Sequence, residues 1–228
     1  MKEVFSIMLD GTRIPDRYPI GTLEVIRTAP REKFINYYRT HYVPSQMQLV
    51  IAGDITPEQG KAWVEKYFGS MKKDNYSFQT DRGTLKTATE TTAHWITNKE
   101  ATSTEASINI ARPYVKKPDT VANRNKDIPL NVAYAMLNRR LEKMAKNADC
   151  PFISAEGGRM DIVEAAEVDS IQTQADYKNW KPALAAIEQE LRRAIEFGFN
   201  KKELAEARSN ITAAAENGNT AVFTVQLK

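Results

Sequence analysis

Residues 30–69 carry the pattern that most narrows what this chain can fold into. Thr28-Ala29-Pro30 opens a helix, because proline at the first helical position lacks only an N–H that would be unpaired there anyway. Ile35, Tyr38 and Tyr42, with Phe34 beside them, recur at helical spacing until Val43-Pro44. Met47–Ala52 is a short apolar run with β-branched residues, closed by Gly53-Asp54, and reads as a buried strand. Thr56-Pro57-Glu58-Gln59 then starts a second helix: Thr56 caps it, Pro57 sits in its first turn, and Gln59 completes a capping box. Trp63, Val64, Tyr67 and Phe68 form one apolar face, and Gly69 supplies the stop. The result is helix, strand, helix.

The texture changes over residues 70–90, which are polar, rich in lysine and threonine, and without periodicity. They read as a linker. Beyond them, His94–Thr97 and Ala106–Ile110 read as strands, the second with half-buried alternation. Pro113 and Pro118 bracket a loop. Val132, Met136, Leu137, Leu141 and Met144 mark a long amphipathic helix ended by Asn147-Ala148-Asp149. Residues 151–176 suit two strands that turn near Gly157-Gly158 or slightly later. A long helix follows with Trp180, Leu184, Ile187, Leu191 and Ile195 on one face and Gly198 as its stop. Asn200 and Glu203 cap a last helix carrying Leu204, Ala207 and Ile211. Val222–Val225 fits a strand or a helix tail. The order α-β-α, linker, β-β-α-β-β-α-α predicts an α+β fold with helices packed on a mostly antiparallel sheet.

Composition excludes several classes. With 42% apolar and 27% charged residues in 228, the chain has enough material for a core. Its net charge is +3, and Lys116-Lys117 and Arg139-Arg140 are only pairs. No basic stripe marks a nucleic-acid binder, so these charges read as solvated surface. No apolar run reaches the roughly 18 residues of a membrane span. Met1–Phe5 is no secretory signal. Cys150 is the single cysteine, so no intrachain disulfide forms. Either a reducing compartment or a periplasm accommodates that.

Several strings, in order, carry a family resemblance. Asp16-Arg17-Tyr18-Pro19-Ile20-Gly21 resembles the Arg-x-Pro-Ile-Gly loop of the pitrilysin/insulinase zinc peptidases. Thr22–Ile26, the proline-started helix with Tyr37-Tyr38 and His41-Tyr42, and the Pro44–Met47 turn follow as they do in that family. So do the strand before Gly53-Asp54 and the helix ending Lys66-Tyr67-Phe68-Gly69. Met136–Leu141 resembles the family helix that ends by presenting Arg-Leu, and the helix pair over 178–214 resembles the one closing the family's four-stranded unit. The resemblance covers roughly Asp16 to Ala215. It implies that residues 1–75 are the C-terminal helix–strand–helix part of a first peptidase-like domain, that 76–90 are a linker, and that 91–228 begin a second, non-catalytic peptidase-like domain, incomplete at its C-terminus.

The family's chemistry rests on His-x-x-Glu-His, with two histidines on one helical face holding zinc and the glutamate polarising water. His41 is followed by Tyr-Val-Pro-Ser and His94 by Trp-Ile-Thr-Asn, and neither has a carboxylate at the needed offset. Both read as structural, His41 at a helix end. Cys150 lies in Asp149-Cys150-Pro151 with no histidine nearby and reads as an inert thiol. Gly157-Gly158 reads as a turn or bulge rather than a phosphate loop. Glu164, Glu167 and Asp169 read as an exposed strand face rather than a calcium site. The expectation is therefore no catalytic, cofactor or metal residue in this chain, which alone is expected to be inactive.

The resemblance implies zinc in the parent protein, outside this chain, and places the family's motif before Met1. It implies hydrolysis of peptides or oligopeptides, with this segment walling the substrate chamber. The alternative is a ligand-free structural or partner subunit of the same family. A peptide-binding module unrelated to peptidases is the blander third reading. Expected partners are the remainder of the parent peptidase and a peptide substrate. A bacterial periplasm or cytoplasm suits such a protein. Because Trp63, Tyr67 and Phe68 form an apolar patch, residues 30–69 are expected either to pack on 90–228 or to exchange between two copies as a homodimer.

Overall fold

The computed structural model describes residues 2–72, 76, 77 and 80–221. It divides into two compact units, Asp16–Asp81 and the combination of Met1–Pro15 with Arg82–Lys228.

The larger unit is α+β. Helix α1 (Lys2–Met8) precedes the smaller unit in sequence. Strand β1 (Thr104–Pro113), helix α5 (Val121–Ala145), strands β2 (Ser154–Ile162) and β3 (Ala166–Ala175), and helices α6 (Trp180–Phe197) and α7 (Lys201–Ala221) follow it. The sheet has the order β1-β3-β2 and is antiparallel throughout. β3 is therefore central, and its alternating burial reflects two covered faces. On one face Ile171 and Ala175 meet Leu137 and Leu141 of α5 and Ala183 and Ile187 of α6. On the other, Ala166 and Val168 meet Leu9 and Leu85. That second cluster covers only the end of the sheet nearest the β2–β3 turn. The outer face continues through Ser170, Gln172 and Gln174 into polar, solvent-facing rungs.

Local sequence explains most of these elements. Thr120 accepts the Asn123 N–H at 3.2 Å and caps α5. Asn200 accepts the N–H of Glu203 at 3.0 Å, while its own N–H donates to the Glu203 carboxylate at 2.8 Å. That reciprocal pair is the capping box read from the sequence. Gly198 (φ 66°, ψ −151°) ends α6 in a backbone conformation that glycine alone adopts readily.

Four local expectations need correction. Helix α5 starts well before Val132 and runs through Pro129, although proline removes one hydrogen bond there. Gly157 and Gly158 lie inside β2, and the strands turn instead at 163–165. Gly157 lies where α5 crosses β2. The Asn138 side chain bonds both its N–H (2.7 Å) and its C=O (2.9 Å), and a Cβ there would sit 3.4 Å from Leu137. Ile195 faces solvent, beyond the reach of the sheet that buries Ile187. Finally, His94–Thr97 forms no strand. Val222–Val225 lies outside the described residues.

The smaller unit contains α2 (Leu23–Thr28), α3 (Arg31–His41) and α4 (Pro57–Phe68). The capping box at α4 forms, with Gln59 N–H to Thr56 Oγ1 at 3.2 Å and Thr56 N–H to Gln59 Oε1 at 3.0 Å. Met47–Ala52, expected as a buried strand, has no ladder partner among the described residues, and Leu49, Val50 and Ile51 are exposed. A strand exists only through its neighbours, and the described residues of this unit include no strand for it to pair with. The apolar residues of α3 and α4 share that exposure: Phe34, Tyr38, Trp63, Tyr67 and Phe68 are all in contact with solvent.

Candidate functional site

His41 is the last residue of α3, and its Nδ1 lies 3.0 Å from the Tyr76 hydroxyl, with the Tyr37 ring 4.4 Å away. His94 Nε2 lies 3.1 Å from Thr92 Oγ1. The two histidines belong to different units. Cys150 is half-buried against the core that contains Leu141 and Ile187. Among the described residues no group of three or more His, Cys, Asp or Glu side chains is placed to hold a metal. A zinc centre needs three protein ligands, and no three of the described residues stand together as such a set.

Glu164, Glu167 and Asp169 of the hairpin are engaged in ion pairs. Glu164 meets Arg82 at 3.0 Å and Lys116 at 3.5 Å. Glu167 meets Arg159 at 3.2 Å. Asp169, on the central strand, accepts from Arg159 at 2.7 Å, from Tyr134 at 2.9 Å and from Arg112. Those donors hold its carboxyl far below the ordinary carboxylate range, with the Arg159 hydrogen bond the largest cause. Burial, reinforced by Asp169, pushes the Tyr134 phenol up to about 12. A carboxylate saturated by guanidinium donors is neither a general base nor a cation ligand. The cluster locks β1, β2, β3 and α5 to one another.

A second polar centre lies where α5 meets the α6–α7 connection. Arg140 Nε donates to Glu203 at 2.5 Å and Nη2 reaches the same carboxylate at 3.0 Å. Nη1 donates to Glu190 at 3.0 Å, and Nη2 also donates to the Gly198 carbonyl at 2.9 Å. The guanidinium lies 4.5 Å from the Phe199 ring centroid. Side-chain exposure is 18% for Arg140 and 8% for Glu190. The Arg140 hydrogen bond, the largest cause, lowers the Glu203 carboxyl to about 2. Arg139 adds Glu206 at 2.6 Å and Glu142 at 2.7 Å. The pair Arg139-Arg140, read as solvated charge, is thus an interhelix lock. The signal that reveals it is the later Glu190, Glu203 and Glu206, which only the fold brings near.

Both centres tie elements of the larger unit together through ion pairs. What remains open for interaction is surface: the apolar faces of the smaller unit and the edges of the three-stranded sheet.

The profile described as "Peptidase M16 inactive domain" matches residues 28–211. The chain belongs to the M16 peptidase family. That confirms the pitrilysin/insulinase resemblance and the α+β fold it implied. This M16 segment is 23% identical over 208 residues to the "Probable zinc protease PqqL" of Escherichia coli, covering 89% of the chain and 22% of that protein. It is 23% identical over 151 residues to the "Zinc protease PQQL-like" of Arabidopsis thaliana, covering 66% of the chain and 16% of that protein. The crystal structure of the E. coli periplasmic protease PqqL superposes with a TM-score of 0.80 at 18% identity, over 93% of the segment and 23% of the PqqL chain. The M16 segment therefore spans about a fifth of the length of that E. coli relative.

Proposed function

We propose that this chain is the non-catalytic part of a zinc-dependent metallopeptidase that hydrolyses peptides or oligopeptides, and that it helps wall the substrate chamber. The match to an inactive M16 domain carries the reading. The unpartnered surface of the smaller unit supports it. Val50 is 77% exposed and Tyr67 65%, which suits a surface built to be covered by more protein. In this reading residues 1–75 close a first peptidase-like domain, 76–90 link, and 91–228 open a second. Zinc belongs to the parent outside this chain, and the remainder of the parent covers the apolar faces. In the isolated chain those faces either pack on residues 90–228 or drive exchange of residues 30–69 between two copies, and sedimentation equilibrium tells a monomer from a dimer.

The test compares chain and parent. The isolated chain is expected to bind no stoichiometric zinc by elemental analysis. The parent is expected to cleave an unfolded oligopeptide and to lose that activity on chelation. Zinc held by three ligands of this chain would overturn the reading. A parent without His-x-x-Glu-His and without peptidase activity would replace it with the structural-subunit alternative.

A further inference from the structure

The β1 edge of the sheet is bare. β1 pairs with β3 along its length, and its outward-facing backbone groups have no backbone partner among the described residues. Proteins normally blunt such an edge with lysine, an internal proline, a bulge or a cover. Thr104–Arg112 contains no lysine or proline, and its register with β3 runs without a bulge.

Residues 86–97 are anchored at the two ends of this edge. At one end Leu85 is buried in the cluster that Ala111 of β1 also joins. Lys86 fastens the same point through its N–H to Asp10 O at 2.8 Å and its ammonium to the Asp10 carboxylate at 3.1 Å. At the other end the Trp95 ring packs on Trp180, with centroids 5.4 Å apart. Trp180 follows closely on Ala175, the register partner of Thr104. The Ala101 N–H to Asn98 O bond (3.1 Å) turns the chain back toward Thr104. From Leu85 to Trp95 the chain reaches about 33 Å when extended. From Ala111 back to Thr104, β1 covers about 24 Å. The segment is thus long enough to run beside β1, antiparallel to it, with about 9 Å or more to spare.

Its side chains already sort as a strand's do. His94 bonds Thr92, two residues away on one side, while Trp95 points to the helix layer. If Thr97 faces Thr104, Trp95 faces Ala106, whose partner Thr173 is buried on the helix side. The same register sets Thr92 beside Asn109 on the outer face. One residue of slippage would put Trp95 on the wrong face. Residues 88–97 nevertheless carry no ladder and are exposed.

We propose that residues 88–97 are a strap, tethered at Leu85 and Trp95, that closes reversibly on β1 as a fourth strand and leaves the edge free for another extended segment when open. The proposal stands apart from the parent's catalytic activity. Its test uses the full chain with Cys150→Ala. In that background T92C/N109C is expected to form an intrachain disulfide on mild oxidation, and T92C/I110C, whose side chains lie on opposite faces, is not. A labelled synthetic peptide of residues 87–98 is the probe for the open edge. It is expected to bind the reduced T92C/N109C protein and to lose about tenfold or more in affinity on oxidation, as the open fraction vanishes. Hydrogen exchange on the unmodified chain gives an independent reading. The outward amides of β1 should be partly protected, and Trp95→Ala should remove that protection. Failure of T92C/N109C to cross-link, equal cross-linking of both pairs, peptide binding indifferent to oxidation, or β1 amides unaffected by Trp95→Ala would each overturn the strap.

Discussion

Replacing Arg140 with alanine should be the most damaging single change to the larger unit. The substitution removes four hydrogen bonds: two to Glu203, one to Glu190 and one to the Gly198 carbonyl. The surviving Glu190 carboxylate is 8% exposed and keeps only Arg193 at 3.7 Å. Breaking a buried pair from one side costs about 3–5 kcal/mol, because the orphaned charge stays desolvated. A domain stability of about 5–15 kcal/mol leaves such a variant near its unfolding threshold. Urea denaturation followed by tryptophan fluorescence measures the loss, with Trp63→Phe in both proteins so that Trp95 and Trp180 report on the larger unit. If the penalty is the orphaned charge, R140A/E190Q should regain about 1 kcal/mol or more over R140A, since a neutral amide is cheaper to bury. The two Glu203 bonds add a pH signature. Its folded-state pKa is depressed to about 2, so this contribution is complete above the ordinary glutamate range and fades as pH falls through that range towards 2. Arg140→Ala should therefore flatten the acid limb of the stability curve. A loss under about 1 kcal/mol, or a double variant no more stable than R140A, would refute the argument.

Three further outcomes follow from other positions. Leu141→Ala, at a fully buried site in the core under α5, should cost about 2–5 kcal/mol in the same denaturation experiment. Val163→Asn should stabilise the unit by about 0.5–1 kcal/mol, because Val163 is held at φ 48°, where a β-branched residue is strained and asparagine is tolerated; a lower melting temperature would count against this. Pro129→Ala should restore a hydrogen bond inside α5 and slow amide exchange over 121–131, with a gain of up to about 3 kcal/mol.

The elements readable from the sequence are those whose determinants are local. The capping box at Thr56 and Gln59, the Gly198 stop and the Asn200–Glu203 cap all act within four residues. The hairpin turn was not readable at its true place, since Val163 and Glu164 adopt left-handed conformations without the glycine or asparagine that usually announces them. Met47–Ala52 has the composition of a strand, but composition supplies no neighbour. The Arg140 lock was hidden for a related reason: its partners lie 50 to 63 positions further along the chain, and an arginine pair in isolation looks like surface. Family membership, by contrast, showed through because short strings recurred in the right order.

The apolar cluster beneath the β2–β3 turn joins residues from opposite parts of the chain. Leu9 and Phe5 meet Ala166 and Val168 there, while Arg13 and Thr12 hold Arg82 and Gly83 beside them. During synthesis the first segment emerges long before the strands that cover it. Contacts so distant in sequence carry a closure cost that must be met before they return any stability. On the ribosome, then, Leu9 and Phe5 travel uncovered while residues 16–81, 82–113 and α5 are made. The order of translation keeps this corner of the sheet open until β3 is made, and the helix-side core waits longer still, for Ala183 and Ile187 of α6.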